Sequence, residues 1–271
     1  MRRPSFFCGS KDIMTYTFDP IGHIESTVRY PQEAPRQGVL TCHSARIVLA
    51  ANRDFEEALS DLDGVERIWI VFVFHLVRGW RPKVQPPVGE GKKGVFSTRS
   101  PHRPNPIGIT AARLEGIDGL TLRVSEVDLL DGTPVLDIKP YIPFADSFPD
   151  ARTGWRERTP DVSPALLWSE TAEKKAAFIL AGGGPDIREF CHVQLGTRFP
   201  DPKKMRLGGG DPSGNRVLAF RTWRILFFAA ETAVTVSDIR SGYAEEELAP
   251  GAPDPFGDKE LHRAFRKTFS A

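Results

Sequence analysis

The chain has few cysteines, and neither its cysteines nor its histidines form a recognisable pattern. The cysteines are three in number, Cys8, Cys42 and Cys191. An odd number at such distances gives neither a disulfide framework nor a C-x-x-C metal knuckle, and it favours a reducing, cytoplasmic environment. The six histidines show no H-x-x-x-H spacing. A metal-dependent hydrolase is therefore not expected, and no metal ion is predicted.

Long apolar runs and glycine-rich nucleotide motifs are also missing. No stretch approaches 18 consecutive apolar residues, and Arg2-Arg3 is followed by no apolar segment of the kind that export signals carry. Neither membrane insertion nor export is expected. No G-x-G-x-x-G follows any predicted strand, which argues against a Rossmann fold.

Net charge is close to zero, at +1, but the cations are unevenly placed. Between Arg78 and Arg103, seven Lys/Arg stand against one acid, Glu90, and residues 186–224 hold eight Lys/Arg against four acids. Either basic stretch would suit nucleic-acid phosphates. Each would equally suit a solvated face that keeps the protein soluble.

The most distinctive segment is residues 97–108, Ser-Thr-Arg-Ser-Pro-His-Arg-Pro-Asn-Pro-Ile-Gly. Its prolines fix φ near −65° and push each preceding residue out of the α region, so the pattern predicts a stiffened loop. Arg99, His102, Arg103 and Asn105 supply polar groups within it. A stiff backbone with many donors indicates a preorganised site for an anionic ligand, although a solvated turn fits the isolated motif equally well.

The strand pattern predicts a mainly β protein. The run at 67–76 is typical of a central strand buried on both faces, and a helix is predicted at 53–62 after Asn52. Strand-like pieces at 107–115, 120–126 and 135–140 follow closely, with Asp-Gly turns between them. This spacing favours a meander or small closed barrel over βαβ units.

A change of composition at 150–163 predicts two domains, a β-barrel at 15–158 and a smaller α+β domain at 163–271. In the second, the pattern predicts helices at 165–181 and 187–195, a hairpin of 216–228 with 233–239, and an amphipathic piece at 258–269. Arg221 alternates with Trp223 in the hairpin, and a cation beside an exposed indole would stack on RNA bases. A strand tryptophan is more often core.

Several motifs recur in the order found in one family. They are Ala34-Pro35-Arg36-Gln37; Trp69-Ile70-Val71-Phe72-Val73-Phe74-His75; Gly79-Trp80-Arg81-Pro82; Gly94-Val95-Phe96-Ser97-Thr98-Arg99-Ser100 with Arg103-Pro104-Asn105-Pro106-Ile107-Gly108; and Leu130-Asp131-Gly132-Thr133-Pro134-Val135-Leu136-Asp137-Ile138-Lys139-Pro140-Tyr141. Together they resemble the TsaA-like (TrmO) tRNA methyltransferases over about residues 16–155. The second part departs further, since only Asp201-Pro202 survives of the family's Asp-Pro-Arg-Pro-type motif.

The resemblance implies a small non-Rossmann β-barrel that binds S-adenosylmethionine, commonly as a homodimer. It implies methylation of N6 of N6-threonylcarbamoyladenosine at tRNA position 37. By motif, the cofactor contacts would be Pro35, Arg36, Gln37, His75, Leu76, Arg99, Ile109, Asp131, Gly132, Thr133 and Pro134. Guanidinium groups, a carboxylate and the exposed amides of the Gly132 turn are group types that this cofactor needs.

The remaining candidates concern the nucleotide and the tRNA. The target N6 lies between an adenine ring and a carbamoyl group, which lowers the demand for a strong base, and His102 and Asn105 are the candidates to orient or deprotonate it. Predicted tRNA contacts are Arg81, Arg103, Lys203, Arg206, Arg221 and Trp223. A non-catalytic RNA-binding module that senses S-adenosylmethionine or S-adenosylhomocysteine would need the same cofactor contacts, so the sequence leaves that alternative open.

Overall fold

The N-terminal strands close into an antiparallel barrel. The structure, a computed structural model, describes residues 15–87, 89–158, 163–197, 207–208 and 215–269. The strands of this part are β1 (Gly22–Ser26), β2 (Ser44–Leu49), β3 (Arg67–Val73), the small hairpin β4 (Lys83–Val84) and β5 (Lys93–Gly94), β6 (Ile107–Asp118), β7 (Thr121–Ser125) and β8 (Pro134–Pro140). The order around the barrel is β1-β2-β7-β6-β3-β8. This confirms the predicted mainly β fold with a small barrel.

Side chains alternate between the barrel interior and its outer surface. In β3, Ile68, Ile70 and Phe72 are buried inside, while the residues between them are half-buried outside. The prediction that this strand is buried on both faces was wrong, because a barrel strand turns only one face to the core. On the outer face of β3, the ring of Trp69 packs against that of Tyr141, with ring centroids 5.4 Å apart.

Two short helices accompany the barrel, α1 (Phe55–Ala58) and α2 (Pro143–Asp146). Helix α1 is shorter than the helix predicted at 53–62. Asp54 and Asp61 adopt φ values of 55° and 62°. Since the left-handed region is incompatible with continued α-helix, these residues limit the helix at both sides.

The C-terminal sheet has a core of its own. Its strands are β9 (Ala165–Trp168), β10 (Leu207–Gly208), β11 (Arg216–Phe220), β12 (Trp223–Ala229) and β13 (Ala233–Ser241), in the order β10-β11-β12-β13-β9. The helices are α3 (Glu170–Ala181), α4 (Ile187–Cys191), which continues into a π-helical turn at His192–Gly196, and α5 (Lys259–Phe269). Apolar side chains of α3, α4 and α5 join those of the sheet in one buried cluster.

Two sequence predictions for this part are corrected. The segment at 165–168, predicted as the start of a helix, is strand β9, which pairs in parallel with β13. The segment at 216–228, predicted as one strand, is divided by a tight turn at Arg221 and Thr222 into β11 and β12. Long-range pairing overrides local propensity in the first case. The amphipathic piece at 258–269 is confirmed as α5.

Strand direction brings three loops to one end of the barrel. Because neighbouring strands are antiparallel, β1, β3 and β7 all end where β2, β6 and β8 begin. The loop end of the barrel therefore carries the 27–43 loop after β1, the 74–106 loop after β3 and the 126–133 loop after β7.

Candidate functional site

All cofactor residues predicted from the motifs lie at the loop end of the barrel. Pro35, Arg36 and Gln37 are on the 27–43 loop; His75, Leu76 and Arg99 are on the 74–106 loop; Asp131, Gly132 and Thr133 are on the 126–133 loop. Ile109 is the third residue of β6, and Pro134 is the first residue of β8. Segments separated by up to a hundred residues in the chain thus share one end of one fold.

Arg99 joins two of these loops directly. Its Nη1 donates to Oε1 of Gln37, although the two residues are 62 positions apart. Nε2 of Gln37 donates in turn to the carbonyl of Arg36 at 2.5 Å. A guanidinium is therefore held beside the Pro35–Arg36–Gln37 motif by a side chain of that motif.

Gly38 brings the 27–43 loop against the third loop. A Cβ atom at this position would lie 1.9 Å from the carbonyl oxygen of Glu126. Only glycine permits such a close backbone approach. The residue after Gln37 is thus packed directly on the 126–133 loop.

The proline-rich segment is organised from within by Arg103. Its Nη1 donates to the carbonyls of Val95 at 3.2 Å and Thr98 at 2.9 Å, and its guanidinium lies 5.8 Å from the centroid of the Phe96 ring. The segment is also joined to the start of the basic stretch, because Arg81 N donates to the carbonyl of His102 at 3.2 Å. Arg103, predicted as a tRNA contact, therefore has a structural role within the loop.

The 131–134 turn is joined to β1 and the residues after it. Asp131 N donates to Val28 O and Gly132 N to Ile24 O, both at 2.8 Å. The Asp131 carboxylate accepts from Ser26 N at 3.0 Å. The expectation that the amides of this turn are open to the cofactor is corrected, since they already pair with backbone carbonyls.

Asp128 is a half-buried acid that the sequence patterns did not reveal. Its Oδ1 is buried and has no hydrogen-bond partner among the described residues. Burial raises the pKa of Asp128, while a hydrogen bond from the Thr110 side chain and the charge of Arg99 act to lower it. The available signal was an acid inside the apolar run Val127-Asp128-Leu129-Leu130. A carboxyl with a buried, unpaired oxygen and a raised pKa is a candidate functional group.

The loop end also exposes apolar surface beside these charges. Leu76 is 55% exposed and Ile109 56% exposed. The chain that carries His75 and Leu76 is fixed to the proline-rich segment, because Phe74 N donates to Pro106 O at 2.7 Å. Cations, a half-buried carboxyl and apolar side chains together suit a ligand with an ionic end and an aromatic end.

Comparison with known proteins points to one family. Residues 23–147 match the family model of the tRNA-methyltransferase O N-terminal domain. The putative S-adenosylmethionine-dependent methyltransferase RcsF of Pseudomonas aeruginosa is 44% identical over 169 residues, which make up 60% of this chain and 72% of that protein. The chain belongs to the tRNA-methyltransferase O family.

A second relative and a solved structure also resemble this chain. The tRNA (adenine(37)-N6)-methyltransferase of Escherichia coli K12 is 38% identical over 170 residues, 59% of this chain and 72% of that protein. The crystal structure of TrmO from Pseudomonas aeruginosa is 32% identical, with a TM-score of 0.62 over 84% of this chain and 100% of that chain. That overlap is larger than residues 23–147 alone. The family resemblance drawn from the motifs is confirmed.

Two of the predicted tRNA contacts, Arg221 and Trp223, are engaged within the protein itself. Trp223 is fully buried and stacks on His262 with ring centroids 3.7 Å apart. The expectation of an exposed indole was wrong, since Trp223 is the first inward residue of β12 and belongs to the core. Arg221 pairs with Glu33 of the 27–43 loop. Lys203 and Arg206 lie outside the described residues, and Arg81 is exposed.

The described residues contain neither a membrane-spanning helix nor a cluster of metal ligands. In the ranges that the structure describes, no helix is long and apolar enough to cross a membrane. In the same ranges, no cluster of three or more His, Cys, Asp or Glu is placed to hold a metal ion.

Proposed function

We propose that this member of the tRNA-methyltransferase O family transfers a methyl group from S-adenosylmethionine to N6 of N6-threonylcarbamoyladenosine at position 37 of a tRNA. The observation that carries the proposal is the convergence of the family's motifs at the loop end of the barrel. The name of the Escherichia coli relative supports adenine 37 and its N6 as the target. The threonylcarbamoyl group on the target rests on the motif resemblance.

The side chains at the loop end fit S-adenosylmethionine by charge and shape. Arg36 and Arg99 are suited to its carboxylate, and the unpaired Oδ1 of Asp128 is suited to a cationic group. The exposed side chains of Leu76 and Ile109 are suited to the adenosine face. When bound, this cofactor supplies a methyl group on a sulfonium that leaves as a neutral thioether.

The proline-rich segment would receive the target base. His102 and Asn105 belong to this segment and would orient N6, and the imidazole of His102 would accept its proton. The internal hydrogen bonds of Arg103 support one conformation of the segment. Since methyl transfer is an in-line displacement, a fixed distance between cofactor residues and base residues lowers the barrier by positioning.

The partners follow from the same surface. Arg81 and the basic stretch around it would hold anticodon-loop phosphates. Exposed apolar side chains at Trp80 (53%) and Phe96 (77%) support a homodimer formed near the cofactor site. We also propose the division into a cofactor domain at 15–158 and a tRNA-binding domain at 163–271, and action in the cytoplasm, where this tRNA substrate would be met.

The test is mass spectrometry of nucleosides from tRNA that has been incubated with the protein and methyl-labelled S-adenosylmethionine. The proposal predicts labelled N6-methyl-N6-threonylcarbamoyladenosine. Cofactor binding by calorimetry without any labelled nucleoside would instead support a cofactor-sensing RNA-binding module.

A further inference from the structure

The 27–43 loop depends on distant contacts for its shape. Its regular structure is limited to the 3-10 turn at Gly38–Leu40, yet it carries Pro35, Arg36 and Gln37. Pro35 is buried, and the two residues after it are half-buried. The contacts on the two sides of the Pro35-Arg36-Gln37 motif therefore set the positions of its side chains.

Arg221 of the C-terminal sheet holds the N-terminal side of the motif. Its Nε donates to Glu33 Oε1 at 2.7 Å and its Nη2 to Glu33 Oε2 at 2.9 Å, and the same Nη2 donates to Thr27 O at 3.0 Å. Glu33 is only 5% exposed and also accepts from Arg29 N at 3.0 Å. A bidentate pair with one buried partner fixes both position and orientation.

The backbone of Arg221 indicates that this contact is specific. Arg221 lies in the turn between β11 and β12 with φ of 50°, a region that side-chain-bearing residues rarely occupy. Such a conformation persists where surrounding contacts determine it. The turn projects the guanidinium away from the C-terminal sheet and onto the 27–43 loop.

Helix α4 and the π-helical turn that follows it hold other points of the loop. Glu189 Oε1 accepts from the Thr41 hydroxyl and from Cys42 N, the latter at 3.2 Å. Nε2 of Gln194 donates to Gln32 O at 2.9 Å. Contacts from the C-terminal part thus flank Pro35, Arg36 and Gln37 on both sides.

We propose that Arg221 and Glu33 are positioning residues for the cofactor, and that through them the C-terminal part sets the conformation of the loop that carries Pro35, Arg36 and Gln37. The inference rests on the proposed function, which places the cofactor at these residues. It gives Arg221 a different role from direct tRNA contact: its removal should loosen the cofactor loop, although Arg221 itself touches no reacting atom.

The experiment compares wild-type full-length protein with Arg221→Ala, Arg221→Lys and Glu33→Gln. S-adenosylmethionine affinity is measured by calorimetry, and amide hydrogen exchange of residues 28–42 is measured without cofactor. For Arg221→Ala and Glu33→Gln we expect affinity to fall on the order of tenfold and exchange of the loop to rise. Arg221→Lys keeps the charge but loses the bidentate geometry, so it should restore part of the affinity.

Lys175→Ala provides a matched control. Lys175 Nζ pairs with Asp238 Oδ1 at 2.6 Å, and its side chain is only 12% exposed, but both residues belong to the C-terminal part. We expect this variant to lower the melting temperature while it leaves cofactor affinity and loop exchange unchanged. A purely structural role for Arg221 would make Arg221→Ala behave in the same way as this control.

The outcomes separate the inference from the function. Unchanged cofactor affinity and unchanged loop exchange in both Arg221→Ala and Glu33→Gln would overturn the inference. A wild-type protein that binds no S-adenosylmethionine would contradict the proposed function instead. The exchange measurement would still show whether Arg221 holds the loop.

Discussion

Two titratable side chains, the half-buried Asp128 and the buried His262, have pKa values shifted in opposite directions. Burial raises the pKa of Asp128, and burial lowers the pKa of His262 to about 4 against the opposing effect of Asp258. For both side chains, burial therefore disfavours the charged form relative to the unfolded chain. Asp128 lies at the loop end of the barrel, whereas His262 stacks on Trp223 in the C-terminal core.

The variant Asp128→Asn should change how stability depends on pH. A raised folded-state pKa contributes stability that is present below about pH 4 and is lost as the pH rises through the folded-state value. Between pH 4 and pH 7 the wild type should therefore lose stability that Asp128→Asn keeps. The free energy of unfolding of Asp128→Asn should rise relative to that of the wild type. Denaturant titrations of both proteins without cofactor measure this difference, and the contribution of His262, common to both, cancels. A difference that stays constant with pH would show that Asp128 ionises as easily in the folded as in the unfolded chain.

At the scale of secondary-structure elements and loops, the 27–43 loop packs closely on the 126–133 loop at Gly38. A methyl group there would meet the carbonyl oxygen of Glu126 at 1.9 Å, so Gly38→Ala must push the 27–43 loop away from the 126–133 loop. We expect a stability loss of about 1–3 kcal/mol together with a clear loss of S-adenosylmethionine affinity, measured by thermal unfolding and calorimetry.

Gly94→Ala is the control for this prediction. Gly94 also lies at the loop end, but a Cβ atom there would meet nothing within 4 Å among the described residues, and its φ of −57° suits alanine. Its cofactor affinity should match the wild type. If Gly38→Ala bound cofactor as tightly as Gly94→Ala, the contact between the two loops would have no part in the site.

Elements whose signal is local can be predicted from the sequence. Asp118-Gly119 and Asp131-Gly132 mark turns, and the barrel strands β6 to β8 fall close to their predicted positions. Elements that depend on long-range pairing, or on a turn without glycine, differ from the prediction. Residues 165–168 pair in parallel with β13, and the turn at Arg221 and Thr222 breaks a continuous apolar pattern.

At the scale of the whole molecule, the candidate site consists of three loops and a contact from the C-terminal sheet. The motif resemblance found the loop residues, because family motifs preserve site chemistry. It did not show that Arg99 reaches Gln37 or that Arg221 reaches Glu33. Asp128 was not predicted as a site residue, because its raised pKa depends on burial that the sequence does not show. Such contacts depend on barrel closure and on the packing of the two parts. Neither can be predicted from the local sequence.

The central claim is that this arrangement methylates a threonylcarbamoylated adenine. The most direct measurement uses two anticodon stem-loops of the same sequence, one with N6-threonylcarbamoyladenosine and one with adenosine at position 37, each incubated with the protein and methyl-labelled S-adenosylmethionine. We expect label on N6 of the modified stem-loop and none on the unmodified one. Equal labelling of both stem-loops, or label on neither, would contradict the claim.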